Sequence, residues 1–101
     1  MGRTLAIDIE TYSDVDLISC GVYKYSSSPH FEILLIAYSV DDEETVCIDV
    51  ANGEEPPKEF IEMLFDDTVT KTAFNANFER TCFSNYYQHS FRPEAWRCTA
   101  V

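Results

Sequence analysis

The stretch Leu5-Ala6-Ile7-Asp8-Ile9-Glu10-Thr11 decides how the rest of the chain is read. It is apolar, with acids at alternate positions. In a strand, side chains two residues apart point to the same face. Asp8 and Glu10 therefore stand side by side, roughly 6.5–7 Å apart along the backbone, and Leu5, Ile7 and Ile9 take the other face. Two carboxylates on one face repel each other, and near a sheet centre they also lose hydration. A divalent cation removes both problems, because hard ions such as Mg²⁺ take carboxylate oxygens. An edge strand with both acids in water accounts for the same pattern, and the stretch alone leaves the two readings open.

Outward from this strand, placed over Arg3 to Glu10, the chain alternates between extended and helical patterns. Thr11-Tyr12-Ser13-Asp14 breaks the strand with turn chemistry. Val15-Asp16-Leu17-Ile18 fits one helical turn stopped by Gly21, and Val22, Tyr23 and Tyr25 fit a short extended piece. Ser26-Ser27-Ser28-Pro29 is a loop. Phe31 to Val40 is long and apolar, as expected of a central strand buried on both faces. Asp41-Asp42-Glu43-Glu44 makes an acidic turn without the spacing of a Ca²⁺ loop, and Thr45 to Val50 is the returning strand of a hairpin.

After the loop through Pro56-Pro57, Phe60, Ile61, Leu64 and Phe65 repeat at helical spacing. Lys58, Glu59 and Glu62 lie opposite, and Asp66-Asp67 ends this amphipathic helix. Val69 to Phe74 is another strand. Asn75-Ala76-Asn77 is a turn rich in N-cap residues. Phe78 to about His89 is a second helix with Phe78, Cys82, Phe83, Tyr86 and Tyr87 as its buried side. Ala95 to Thr99 starts a final strand. Strands separated by a helix imply parallel, right-handed crossovers, so the expected fold is α/β, a mixed sheet with flanking helices. The chain stops at Val101 where a strand should lead into something, so the fold is expected to be C-terminally incomplete. A chain cut there exposes a sheet edge and a helix-docking surface, and self-association through that edge is an expectation.

Composition limits what such a domain can do. With 101 residues, 46% hydrophobic and 14% aromatic, one domain with a real core is expected. A formal net charge of -11 argues against broad adhesion to nucleic acid or an anionic membrane. A local nucleic-acid site screened by bound metal remains compatible with that charge. Cys20, Cys47, Cys82 and Cys98 form no C-x₂₋₄-C pair, which disfavours a structural zinc site. There is no signal-peptide pattern and no apolar run of membrane-spanning length, so a cytoplasmic protein with reduced thiols is expected.

A second acid falls in a matching place. Glu79 lies in the first turn of a helix that follows a strand, and parallel neighbouring strands bring their C-terminal ends to the same rim. Glu79 could thus complete a carboxylate cluster with Asp8 and Glu10. The helix dipole alone also favours an acid there. At this point the sequence resembles a known family. Asp8-Ile9-Glu10-Thr11 after an apolar strand looks like the first motif of DnaQ-like, DEDD-type 3′–5′ exonucleases. Asn75-x-x-Phe78-Glu79 is similar to their second motif, which usually reads Asn-x-x-Phe-Asp. Together with Cys20 to Tyr25, Phe31 to Leu35 and Trp96 to Thr99, the text resembles the exonuclease domain at the N-terminus of phage and prophage DNA polymerases of the family A type. The likeness runs over residues 1–101 and covers only the first part of the family's domain.

The resemblance implies a ribonuclease-H-like fold and two divalent cations, Mg²⁺ or Mn²⁺, held by Asp8, Glu10 and Glu79. It also implies two-metal hydrolysis of a phosphodiester at a single-stranded DNA 3′ end, as in proofreading. Glu79 in place of Asp is a departure that moves the carboxylate by one methylene. Tyr12 and Phe78 suit stacking on a terminal nucleotide, and Thr11 and Asn75 suit contacts to substrate. Ordinary packing accounts equally for the two aromatics, and a turn or cap role for Asn75. The family's third motif, with a fourth acid and a Tyr or His that positions water, belongs beyond residue 101. Neither His30 nor His89 matches it, and both read as surface residues. The leading expectation is a proofreading domain whose partner is the remainder of a polymerase chain, with this piece poorly active or inactive. An inactive structural or nucleic-acid-docking module, a free-standing exonuclease acting on RNA or oligonucleotides, and a small acidic protein binding a protein partner are the other readings.

Overall fold

The computed structural model describes residues 3–99. The end at Val101, and with it the expected incompleteness, lies outside those residues. Five strands form one sheet in the order β3-β2-β1-β4-β5: β1 (Thr4–Tyr12), β2 (Glu32–Val40), β3 (Val46–Ile48), β4 (Thr70–Ala73) and β5 (Trp96–Cys98). β1 pairs antiparallel with β2 across a long connection that holds a helix, and β2 pairs antiparallel with β3 through a short turn at residues 41–45. β1 pairs parallel with β4, and β4 parallel with β5. The mixed sheet expected from the alternation of patterns is present: helix α3 (Ala76–Tyr87) lies between β4 and the parallel β5, and helix α2 (Lys58–Phe65) carries the chain from β3 to β4, which takes its place beside β1.

Strand parity sorts the core. Leu5, Ile7 and Ile9 are buried on one face of β1. Ile7 stands opposite Tyr38 on β2, and the Tyr38 ring meets Phe60 of α2 at 4.8 Å. Phe60 in turn meets Phe83 of α3 at 6.2 Å, and Phe83 lies 6.4 Å from Trp96 of β5. This face, α2 and α3 form the core, and α1 (Leu17–Ser27) packs on α3. On the other face Ala6, Ala37, Ser39 and Thr72 are half-buried, and the Phe74 that follows β4 is 74% exposed. Helices flank the sheet on one side only among the described residues. β2 is therefore not buried on both faces as its run of apolar residues suggests. Leu35, Ala37 and Ser39 stay half-exposed because no described element lies over them.

Local boundaries differ from the sequence expectation where side chains form tertiary contacts. β1 runs on to Tyr12, past the expected break at Thr11, with a shift of register between Glu10 and Thr11. Gly21 does interrupt α1, with φ 84° and ψ 165°, a conformation suited to glycine. Beyond it, however, Val22 to Ser27 is helical rather than extended. That half of the helix is held to α3 by the Asn85 amide, which donates to Ser26 Oγ at 2.6 Å. α3 begins at Ala76, two residues earlier than expected, and its buried face is Ala76, Glu79, Cys82 and Phe83. Tyr86 is consequently exposed, and Phe78 and Tyr87 are half-buried. The acidic turn caps β1: the backbone N–H of Thr4 donates to Asp41 Oδ1 at 2.8 Å.

Lys71 is the one feature of the core with no counterpart in the sequence reading. It sits on the covered face of β4 at 0% exposure, and its ammonium donates to the Asp66 carbonyl. Burial lowers its pKa, partly offset by Asp67 and Asp66. Its stem fills core volume while its charge is held by one carbonyl and two nearby carboxylates. Lys71→Met, which keeps the volume, is expected to change stability by less than about 1.5 kcal/mol, whereas Lys71→Ala lowers it by about 2 kcal/mol. Urea denaturation curves of both variants check this.

Candidate active site at the rim of β1 and β4

The parallel register sets the site. Thr4, Leu5 and Ala6 of β1 stand beside Thr70, Lys71 and Thr72 of β4. β4 ends at Ala73, level with Ile7, while β1 continues for five more residues. The first turn of α3 thus comes to lie alongside the free end of β1. Asp8 and Glu10 are exposed, on the open face, as strand parity predicts. Glu79 reaches this rim from the first turn of α3.

The environment of Glu79 is not that of a surface helix-start acid. It is 5% exposed, and its Oε1 is buried without a hydrogen-bond partner. Burial pushes its carboxyl from 4.5 up to about 7, its own backbone N–H offsets part of the shift, and the charge of Asp8 adds to the rise. A neighbouring thiol reports the same environment: burial, with a contribution from Glu79, raises Cys82 to about 12. That thiol is not a nucleophile at neutral pH. A buried carboxylate oxygen with no donor, set near a second carboxylate, is an acceptor that either a proton or a hard cation would satisfy. Among the described residues no three His, Cys, Asp or Glu side chains converge into a single closed metal centre. Asp8 and Glu79 are brought near each other, and Asp8 and Glu10 share a face.

The residues expected near a substrate fall into two groups. Tyr12 is 51% exposed at the end of β1 and is free to stack on a ligand. Phe78 is half-buried and packs on Tyr25, with ring centroids 6.1 Å apart, so packing occupies much of its ring. Thr11 is also engaged, its Oγ1 lying 2.9 Å from Tyr25 Oη. Asn75 occupies the N-cap position of α3, but its side chain makes no capping bond. Its carbonyl instead accepts from the N–H groups of Phe78 at 2.9 Å and Glu79 at 3.3 Å. His30 and His89 are exposed, and the His89 ring rests against Phe91 at 4.6 Å and Phe65 at 4.8 Å.

Two residues escaped the sequence reading. Phe74 lines a groove of about 300 Å³ on the open face together with Asp8, Ala6, Ala37, Ser39 and Thr72. Strand parity could have found it, since it stands two residues beyond Thr72. Tyr25 carried no such signal, because it lies in a segment that reads as extended.

Among known proteins, this chain is 52% identical over 99 residues to the DNA polymerase of Bacillus phage SP02. The likeness is to the N-terminal region of that polymerase. The match covers 98% of this chain and 15% of that polymerase. No family model matches. Two solved structures share its fold. A nuclease determined in its apo form has a TM-score of 0.63 at 21% identity, over 95% of this chain and 40% of that one. Brucella melitensis NrnC has a TM-score of 0.63 at 19% identity, with the same coverage of 95% and 40%. The fold is ribonuclease-H-like α/β, as the resemblance implied. No helix among the described residues is long and apolar enough to cross a membrane.

Proposed function

We propose that this chain carries the first part of a divalent-cation-dependent 3′–5′ exonuclease domain, which serves proofreading within a phage-type DNA polymerase. The observation that carries the reading is the buried, unpartnered carboxylate oxygen of Glu79 set near Asp8 where β1 outruns β4. Relationship to a phage polymerase and the shared fold with nucleases add support. Asp8, Glu10 and Glu79 are the residues that would hold two divalent cations, Mg²⁺ or Mn²⁺. When bound, such ions supply a hydroxide at neutral pH and neutralise charge on the scissile phosphate and leaving oxygen.

The chain's own residues do the rest. Asp8 and Glu10 present oxygens to the open face from the part of β1 that is paired with β2 alone. Glu79, held by its helix, turns a carboxylate toward the same rim and gives up its proton on binding. Tyr12 offers a ring to the terminal base of a single strand, where stacking tolerates any sequence. Thr11 and Phe78, both packed on Tyr25, border the same end of β1, and Asn75 offers an uncommitted amide to the substrate. The remainder of the polymerase is the partner in this reading.

The test is the degradation of 5′-labelled single-stranded DNA in Mn²⁺ or Mg²⁺. A ladder shortening from the 3′ end, abolished by chelator and by Asp8→Ala, is the expected result. Internal cuts, release from the 5′ end, or activity insensitive to chelator would overturn it. A second reading, a metal-binding module that docks nucleic acid without cutting it, is favoured by the absence of a closed three-ligand centre among the described residues. Mn²⁺ binding that depends on Asp8, with DNA left intact, is its signature.

A further inference from the structure

Tyr25 meets both halves of the candidate site and the strand between them. Its hydroxyl lies 2.9 Å from Thr11 Oγ1, with either oxygen able to donate. Thr11 directly follows Glu10, at the point where the β1–β2 register shifts. The Tyr25 ring lies 6.1 Å from that of Phe78 at an interplanar angle of 45°, and Phe78 directly precedes Glu79. On its other side the ring meets Phe31 edge-on at 5.8 Å, one residue before β2 begins. One side chain therefore touches the chain next to Glu10 and next to Glu79. It reaches them from the half of α1 that resumes beyond the Gly21 interruption.

The need for such a contact follows from the topology. Beyond Ala6 no paired residue of β4 supports β1 on that side. A register shift then loosens the ladder on the other side. Beside the direct packing of α3 on β1, Tyr25 adds a side-chain link between the end of β1 that bears Glu10 and the first turn of α3 that bears Glu79. Carboxylates that are to share cations need their spacing fixed by neighbours that touch no metal.

We propose that Tyr25 is a positioning residue, whose hydroxyl and ring fix the spacing between the Glu10 end of β1 and the Glu79 turn of α3. The inference rests on the nuclease reading above. Ordinary packing would need only the ring, so the hydroxyl is the part that discriminates.

The experiment is calorimetric titration of the 101-residue protein with Mn²⁺, for the wild type, Tyr25→Phe, Thr11→Val, the double variant and Asp8→Ala. Amide hydrogen exchange is followed by NMR on the metal-free samples. Tyr25→Phe is expected to weaken Mn²⁺ binding roughly 10-fold with unchanged helical circular dichroism. It should speed exchange at Thr11 and at Phe78–Glu79 together. Thr11→Val should do the same, and the double variant no more than either single, because both remove one bond. Mn²⁺ binding lost in Asp8→Ala but unchanged in Tyr25→Phe overturns the role of Tyr25 and leaves the nuclease reading standing. Faster exchange at Thr11 alone also overturns it. A wild type that binds no Mn²⁺, or an Asp8→Ala protein that binds as the wild type does, overturns the nuclease reading and this role with it.

Discussion

Glu79→Gln stabilises the metal-free protein at pH 8 by about 3 kcal/mol and leaves it nearly unchanged at pH 4. The Glu79 carboxyl is raised from 4.5 to about 7, chiefly by burial. Between those values the folded protein binds a proton that the unfolded chain has released. Stability from this group is fully present below pH 4.5 and is lost as pH rises through about 7. Above that, folding must bury a charge whose Oε1 has no donor. Glutamine keeps the shape without the charge, so the variant lacks this part of the fall. Urea denaturation at pH 4, 6 and 8 on both proteins measures the difference directly. A constant offset across the three would mean that Glu79 ionises at its ordinary value. On the proposed function, Mn²⁺ binding by the wild type strengthens as pH rises through the same window, since the ion displaces that proton.

Asp8→Ala moves function and stability in opposite directions. On the proposed function it removes a direct ligand, and Mn²⁺ affinity should fall by about 100-fold or more, at the upper end of what even outer-shell losses produce. Cleavage of single-stranded DNA falls with it. The metal-free protein should not be destabilised. Asp8 is exposed on the open face, and its charge raises the Glu79 carboxyl, so its removal relieves repulsion at neutral pH. Calorimetry and urea denaturation on one preparation give both values. A variant less stable than the wild type and equally able to bind Mn²⁺ would show Asp8 to be structural. The contrast with Lys71 is informative, because there a buried charge is enclosed on the covered face and its stem is part of the core.

Patterns with a local period carried most of the fold. Alternation in Leu5 to Glu10 placed Asp8 and Glu10 on one face, because side-chain direction in a strand is fixed by backbone geometry alone. Helical spacing at Phe60 and Leu64 and the lengths between strands were enough to give the antiparallel hairpin and the parallel crossovers. The same text misplaced α3, where Tyr86 looked like core. A helix face is chosen by what it packs against, and here Ala76, Glu79, Cys82 and Phe83 face the sheet. The continuation of α1 beyond Gly21 was hidden for a similar reason, since contacts to α3 such as that of Ser26 with Asn85 hold it there.

The sequence by itself determined the α/β class, the β2–β3 hairpin and the shared face of Asp8 and Glu10, since these follow from short-range geometry, whereas the strand order and the pairing of β1 with β2 came from the tertiary structure. Only the tertiary structure decided that Glu79 is buried near Asp8 rather than solvated at a helix start. It alone decided that Lys71 lies inside the core and that Tyr25 spans the two motifs. Burial and electrostatic coupling depend on residues tens of positions apart in the chain, and no window of sequence contains them.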